Sequence, residues 1–329
     1  MLLIIFLSAM LPACAFSAQA HTSESFALDT VCTQQVYGSG ADHAIAEVAH
    51  MLQDVTNTMS MKKGSYIYEI NMAAPDAVRV TKEIAELIQT AADIAAETGG
   101  AFDPTIGTIT RLWDISGNPR VPFEDEINKA IALVDYSGIT VDGTKVSLAH
   151  SGMMIDLGAI GKGYAADSAV EIYEKYGIKS ALLNLGGNIY AYGKKPDGSD
   201  YRIGLRDPFG TEGEYAAVVS VSDTSVVTSG VYERYFESGG KMYHHIFDPN
   251  TGYPADNSLA CVSVVCKNST RADALSTALF VMGLDTGLAY AQTVPDTQAV
   301  FITKTREVYV TDGFKDSIEI TNETYTLKS

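Results

Sequence analysis

One stretch constrains this chain more than any other: Met153 to Asp167, MMIDLGAIGKGYAAD. Three apolar residues, Met153 to Ile155, read as a short strand. Asp156 then enters a turn carrying Gly158, Gly161 and Gly163, and helix formers follow from Tyr164 to about Tyr176. A strand, a glycine-rich turn and a helix start together aim main-chain N–H groups at one spot, which suits an anion such as a phosphate. Lys162 adds a mobile positive charge there. The dinucleotide fingerprint needs glycines at its first, third and sixth positions, whereas here they stand at the first, fourth and sixth. A P-loop needs Ser or Thr after its lysine, and Gly163 occupies that place. A glycine-rich connection with no ligand stays open as the alternative.

The chain has 329 residues, enough for one large domain or two ordinary ones. At 46% hydrophobic and 19% charged residues it is globular. A net charge of −17 argues against a nucleic-acid partner, which would want a basic surface. It leaves room for a phosphate ligand, because a metal ion and converging N–H groups offset the field locally.

Residues 1 to 13, MLLIIFLSAMLPA, are too short an apolar run to span a bilayer and read as a signal-peptide core. Leu11-Pro12-Ala13-Cys14 resembles a bacterial lipobox. A lipid on Cys14 would make the protein an extracytoplasmic lipoprotein anchored to a membrane, with simple secretion as the alternative. Residues 1–20 thus read as leader, anchor and spacer, and 21–329 as the folded domain. Cys32 is isolated. Cys261 and Cys266 lie five apart in a strand-like run and point to opposite faces, so no disulfide between them is expected. All three read as small buried hydrophobes.

Periodicity places the remaining elements. Ser25 to Gly38 reads as one strand. Ala41 to about Thr58 is a helix with Ile45, Val48, Leu52 and Val55 on one face; His43 and His50 on it read as ordinary surface or core histidines. Val78 to Glu97 is the clearest helix, ended by Gly99-Gly100. Pro122 to Val134 is a shorter one. Ser180 to Leu185 is a strand that Gly186-Gly187 interrupts and Ile189 to Tyr192 continues. KKPDGSD, 194–200, reads as a hairpin tip. Further strands are expected at Tyr201 to Leu205, Ala216 to Val221, Ser225 to Thr228, Lys241 to Phe247 and Ala260 to Val265. Arg271 to Met282 is a helix, and strand and turn alternate after it. A single α+β domain with antiparallel sheet and packed helices fits this order. On the last helix Asp273 and Thr277 are four apart and share a face, a carboxylate beside a hydroxyl, as a hard cation prefers.

Six motifs now stand in one order: AFDPTIG, IDLGAIGKGYAAD, LLNLGGNIYAYG, VTSGVYERYF, HHIFDPNTGYP and ADALSTALFVMG. Together they resemble the ApbE family, the FAD:protein FMN transferases, across about residues 25 to 315. The resemblance implies an ApbE-like, T-fold-like domain. It implies transfer of the FMN half of FAD to a threonine hydroxyl on a partner protein, with a divalent metal present and AMP leaving. Some members mainly hydrolyse FAD to FMN and AMP. The metal, Mg²⁺ or Mn²⁺, would be held by the Ala159 carbonyl, Asp273 and the Thr277 hydroxyl. The flavin and ribityl end would meet Leu28 and the Ala101-Phe102-Asp103 loop. Asp156, Lys162 and Ile246 match further FAD-contact positions, and Ser229 would lie against the pyrophosphate. Where the family commonly has Met-Gly-Thr, this chain has Leu28-Asp29-Thr30. Where the family has an aromatic residue against the flavin, Met61 falls nearest. Either Asp273 or His245 could take the proton of the acceptor hydroxyl. The implied partner is a flavoprotein subunit of a membrane redox system; a non-catalytic FAD-binding lipoprotein is the reading from another functional class.

Overall fold

The computed structural model describes residues 19–211 and 213–328. The leader and Cys14 lie outside the described residues. Nine strands form the main sheet, and their order across it is their order along the chain. They are β1 (Ala20–Ala27), β2 (Thr30–Tyr37), β3 (Ser180–Leu185), β4 (Asn188–Gly193), β5 (Thr224–Gly230), β6 (Leu259–Cys266), β7 (Thr297–Thr303), β8 (Glu307–Val310) and β9 (Thr326–Leu327). Neighbours run antiparallel from β1 to β8, and β9 joins β8 in parallel.

The eight α-helices among the described residues are α1 (Ala41–Met59), α2 (Tyr66–Ala73), α3 (Lys82–Glu97), α4 (Gly107–Trp113), α5 (Glu124–Ile131), α6 (Gly161–Lys175), α7 (Ser269–Met282) and α8 (Leu284–Ala291). Both faces of the sheet are covered, so β6 is buried along its whole length. Successive strand residues point to opposite faces. Val262 and Val264 therefore pack under α7 and α8 with Phe301. Cys261 and Val265 pack on the other face against Ile203 and Val219 of a three-stranded sheet built from 201–206, 215–221 and 318–320. Cys261 and Cys266 are buried free thiols in these two separate cores, as their spacing requires. Near β2 and β3, helices α1, α3 and α6 lay Val48, Leu52, Ile88 and Ala169 over Val36, Leu183 and Leu185. A fourth cluster surrounds Trp113.

Several boundaries differ from the periodicity reading, each for a local reason. The stretch 25–38 is a hairpin, because Leu28 and Asp29 both adopt φ of 54° and reverse the chain. The 78–97 helix begins only at Lys82; Thr81 caps it, accepting from Ile84 N–H, and Val78–Arg79 pairs as a strand. The 122–134 helix shortens to α5. At Gly186-Gly187 the chain turns back, so β4 lies antiparallel beside β3 and does not extend it. Residues 194–200 carry the chain from the main sheet to the three-stranded sheet and form no hairpin tip. Met153–Ile155 makes a single bridge, Met154 to Ile106, in place of a strand. The strand read at 241–247 stops at His244. Helices α2 and α8 carry little amphipathic pattern and are additions to the sequence reading.

Candidate functional site

The glycine corner, 156–163, is held from three directions. Asp156 N–H donates to the Pro104 carbonyl at 2.8 Å, and Gly107 N–H donates to the Met154 carbonyl at 3.1 Å. A Cβ on Gly107 would stand 2.6 Å from that carbonyl, so only glycine lets the AFDPTIG loop lie this close. From the opposite side the Asn71 carboxamide clamps Ile155, accepting from its N–H at 2.7 Å and donating to its carbonyl at 2.9 Å. Within the corner Asp156 Oδ1 accepts from Gly158 N–H at 2.8 Å and tightens the turn.

The third direction is α7. Gly163 N–H donates to Asp273 Oδ2 at 2.8 Å. The two helix starts touch so closely that a Cβ on Gly163 would lie 2.2 Å from the Ser269 carbonyl. Asp167, in the second turn of α6, accepts from Ser269 N–H, Thr270 N–H and the Thr270 hydroxyl at 2.9, 2.8 and 2.6 Å. It therefore caps α7 from a neighbouring helix. Asp273 is buried at 4% exposure. Burial raises its pKa, opposed by the charge of Lys162 and by the Gly163 and Lys162 amides.

Oxygen donors cluster at this point. Ser229, at the end of β5, faces α7, with its hydroxyl 2.8 Å from Ser276 Oγ and 3.3 Å from Thr277 Oγ1. Among the described residues no N–H reaches the Ala159 carbonyl. Asp273, Thr277 and Ala159 thus offer one carboxylate, one hydroxyl and one free carbonyl, a set that fits a hard divalent cation. Among the described residues no group of three or more His, Cys, Asp or Glu side chains gathers as a cage. An ion here would complete its shell with substrate oxygens and water, as Mg²⁺ does.

His245 follows the two-stranded hairpin of 235–238 and 241–244. Its N–H donates to the Arg234 carbonyl at 3.1 Å, and its ring Nδ1 lies 3.2 Å from the same oxygen. A ring nitrogen facing a carbonyl carries the proton, so Nε2 holds the free lone pair. Burial, then the charges of Arg234 and Lys162, push the imidazole pKa down to about 3. The charge of Lys162 bears on Asp273, on Glu233 and on His245 alike.

The remaining expected site residues fall in four places. Leu28 is half-buried at the tip of the β1–β2 hairpin, where its N–H donates to Thr56 Oγ1 at 2.8 Å. Phe102 is buried and Ala101 half-buried in the loop before α4. The Asp103 carboxylate turns inward: Oδ1 accepts from Thr105 N–H at 2.8 Å and its hydroxyl at 2.6 Å, and Oδ2 from Tyr136 N–H at 3.2 Å. Both oxygens are thus occupied in shaping the loop, and a ligand would meet the loop's other atoms. Ile246 is buried at 4% exposure, its carbonyl accepting from Ala255 N–H at 2.9 Å. Met61 is half-buried beside the α1–α2 connection. Sequence reasoning passed over Asn71, Asp167 and Glu233. Glu233 and Asp167 stood inside the quoted VTSGVYERYF and IDLGAIGKGYAAD runs. Asn71 gave no signal, because its partners are main-chain groups far along the chain.

The family model described as the ApbE family matches residues 28–301. The FAD:protein FMN transferase of Treponema pallidum (strain Nichols) is 36% identical over 330 residues, covering 94% of this chain and 91% of that protein. The FAD:protein FMN transferase of Klebsiella pneumoniae (strain 342) is 36% identical over 81% of this chain and 84% of its own length. Among solved structures, the ApbE protein from Thermotoga maritima superposes with a TM-score of 0.85 at 32% identity, covering 91% of this chain and 99% of that one. The apo form of the Pseudomonas stutzeri flavinyl transferase ApbE gives a TM-score of 0.81 at 29% identity, over 92% and 98% of the two chains. On sequence and on fold alike, this chain belongs to the ApbE family.

Proposed function

We propose that this protein is an FAD:protein FMN transferase that moves the FMN half of FAD onto a threonine hydroxyl of an acceptor protein and releases AMP. The observation that carries the reading is the junction of α6 and α7, where one buried carboxylate, Asp273, meets the amide of a glycine corner. A carboxylate buried beside a lysine and N–H donors suits a site that gathers cation and phosphate together.

In this reading the acceptor oxygen attacks the FMN-side phosphorus, the bond to the bridging oxygen breaks, and AMP leaves with that oxygen. Lys162 and the N–H groups of the corner stabilise charge on the phosphate oxygens. Asp273, Thr277 and the Ala159 carbonyl would hold Mg²⁺, or Mn²⁺ in its place, and the bound ion would supply positive charge against the diphosphate. Phosphoryl transfer depends chiefly on such positioning and charge stabilisation. The hydroxyl proton goes to His245 Nε2 or to a carboxylate oxygen of Asp273. His245 has the free lone pair, which favours it, although its depressed pKa makes it a weak base. Leu28, the 101–103 loop, Asp156, Ser229 and Ile246 line the path of FAD. The acceptor is a flavoprotein subunit of a membrane redox system, and a lipid on Cys14 keeps the enzyme at the same membrane face.

Incubation with FAD and Mg²⁺, with and without a threonine-bearing acceptor, tests the reading. AMP together with flavin-labelled acceptor is the expected result. AMP and free FMN in both reactions would make the protein an FAD pyrophosphatase. Absence of AMP under both conditions would leave a flavin carrier and sink the proposal.

A further inference from the structure

The segment 154–156, which leads into the glycine corner, is extended and has a different partner on each side. In an extended chain, successive peptide groups point to alternate sides. The Met154 carbonyl and the Asp156 N–H point towards the AFDPTIG loop and pair with Gly107 N–H and the Pro104 carbonyl, at 3.1 and 2.8 Å. The Ile155 N–H and carbonyl point the other way, where no strand among the described residues pairs with them. One side chain, Asn71 on α2, meets both, at 2.7 and 2.9 Å. A carboxamide has a donor and an acceptor at the spacing of a peptide group, so Asn71 substitutes for a missing strand. Asn71 is 4% exposed and Ile155 fully buried, so water cannot take its place.

We infer that Asn71 is a positioning residue for the phosphate and metal corner, acting through Ile155 without touching substrate. The inference rests on the functional reading above. The relay is short: Asn71 fixes Ile155, the next residue is Asp156, and Asp156 Oδ1 holds the Gly158 amide at 2.8 Å. Gly158 precedes Ala159, whose carbonyl is one of the proposed metal donors. Removing the clamp leaves two buried main-chain groups unpaired, and the corner can regain partners only by moving. Asn71→Leu keeps the volume and removes both bonds. Asn71→Asp keeps the shape and the acceptor for Ile155 N–H, but an ionised carboxylate cannot donate to the carbonyl.

The test combines Mn²⁺ binding in the presence of FAD, steady-state AMP release, and amide exchange across 155–163 in metal-free protein. Asp207→Asn serves as a stability control, since Asp207 is buried against Tyr325 and Asn322 and touches nothing in the site. For Asn71→Leu we expect a Kd for Mn²⁺ raised about 10-fold, the scale seen when a partner behind a metal ligand is lost. Turnover at saturating FAD and metal should stay within about threefold of wild type, exchange at 155–163 should accelerate, and Asn71→Asp should lie between. The control should change none of these at matched stability. Should Asn71→Leu fail to fold, Asn71→Asp is read by the same criteria. Unchanged exchange across 155–163 overturns the inference, as does lost turnover with unchanged Mn²⁺ affinity. If wild-type protein releases no AMP, the functional reading fails on its own, while exchange still decides whether Asn71 orders the corner.

Discussion

The N–H of Gly163 and the carboxylate of Asp273 meet at 2.8 Å although 110 residues separate them in the chain. That bond joins the start of α6 to the second turn of α7, and the proposed metal site stands on it. A side chain at position 163 cannot be accommodated, since its Cβ would fall 2.2 Å from the Ser269 carbonyl, a main-chain atom with no room to rotate away. Gly163→Ala should push the two helices apart by the better part of an ångström. Misplacement on that scale can cost about 100-fold in rate, and core overpacking about 1–3 kcal/mol in stability. Urea unfolding and metal-dependent AMP release should both register the change.

Asp273 itself should be indispensable to metal-dependent turnover. Asp273→Ala removes the only carboxylate proposed as a metal ligand and should abolish AMP release at every Mg²⁺ concentration. Undiminished release by this variant would remove the metal assignment.

Asp167 is expected to act on stability. It satisfies two of the first N–H groups of α7 and one hydroxyl. Loss of such a cap costs about 1 kcal/mol. Asp167→Ala should therefore lower the melting temperature by about 2–4 °C. Differential scanning calorimetry reads this directly, and an unchanged Tm would show that the helix needs no cap here.

Acid should destabilise the fold through His244. Its Nε2 lies 3.1 Å from the Ala255 carbonyl, its Nδ1 accepts from Ile246 N–H at 3.3 Å, and the ring stands edge-on to Phe280. Burial lowers its pKa to about 4 from 6.5. Above pH 6.5 the folded and unfolded chains both hold a neutral ring, and the full stability is present. As pH falls from 6.5 towards 4 the unfolded chain gains a proton that the folded one refuses, and stability is lost. Between pH 7 and 4.5 the wild type should lose about 2 kcal/mol more than His244→Gln. Equal losses in urea titrations at the two pH values would contradict this.

Trp113, the sole tryptophan, reports on the α4–α5 cluster. It is fully buried among Phe236, Tyr243, Phe247 and Tyr253, and its indole N–H donates to the Gly252 carbonyl at 2.8 Å. Its emission should be blue-shifted and should move red in one step on unfolding. Trp113→Phe leaves that carbonyl unpaired and should cost about 1–3 kcal/mol.

The parts of the fold legible in sequence are those governed by local periodicity. The apolar stripes of α1 and α3 and the uninterrupted apolar run of β6 identify themselves, because a helix face or a doubly covered strand needs those residues whatever lies opposite. The hairpin at Leu28–Asp29 stayed hidden because Leu28, the first of its two left-handed residues, is not a usual turn former. Helix α2 stayed hidden because its eight residues owe their conformation to the Ser65 cap and to burial of Ile67 and Ile70.

The site divides the same way. The glycine corner, the Asp273–Thr277 spacing and the six ordered motifs could be read from the chain, since turn chemistry and helical spacing act within a few residues. Sequence alone therefore determined the fold class, the family and the residue types of the candidate site. Only the tertiary structure decided that Asp103 spends both carboxylate oxygens on Thr105 and Tyr136, that Asp167 caps a neighbouring helix, and that Asn71 pairs both main-chain groups of the extended residue Ile155. Each of these pairs a side chain with main-chain groups, some of them from distant segments. A main-chain amide or carbonyl is the same at every residue, so the sequence carries no mark of which one a side chain will find.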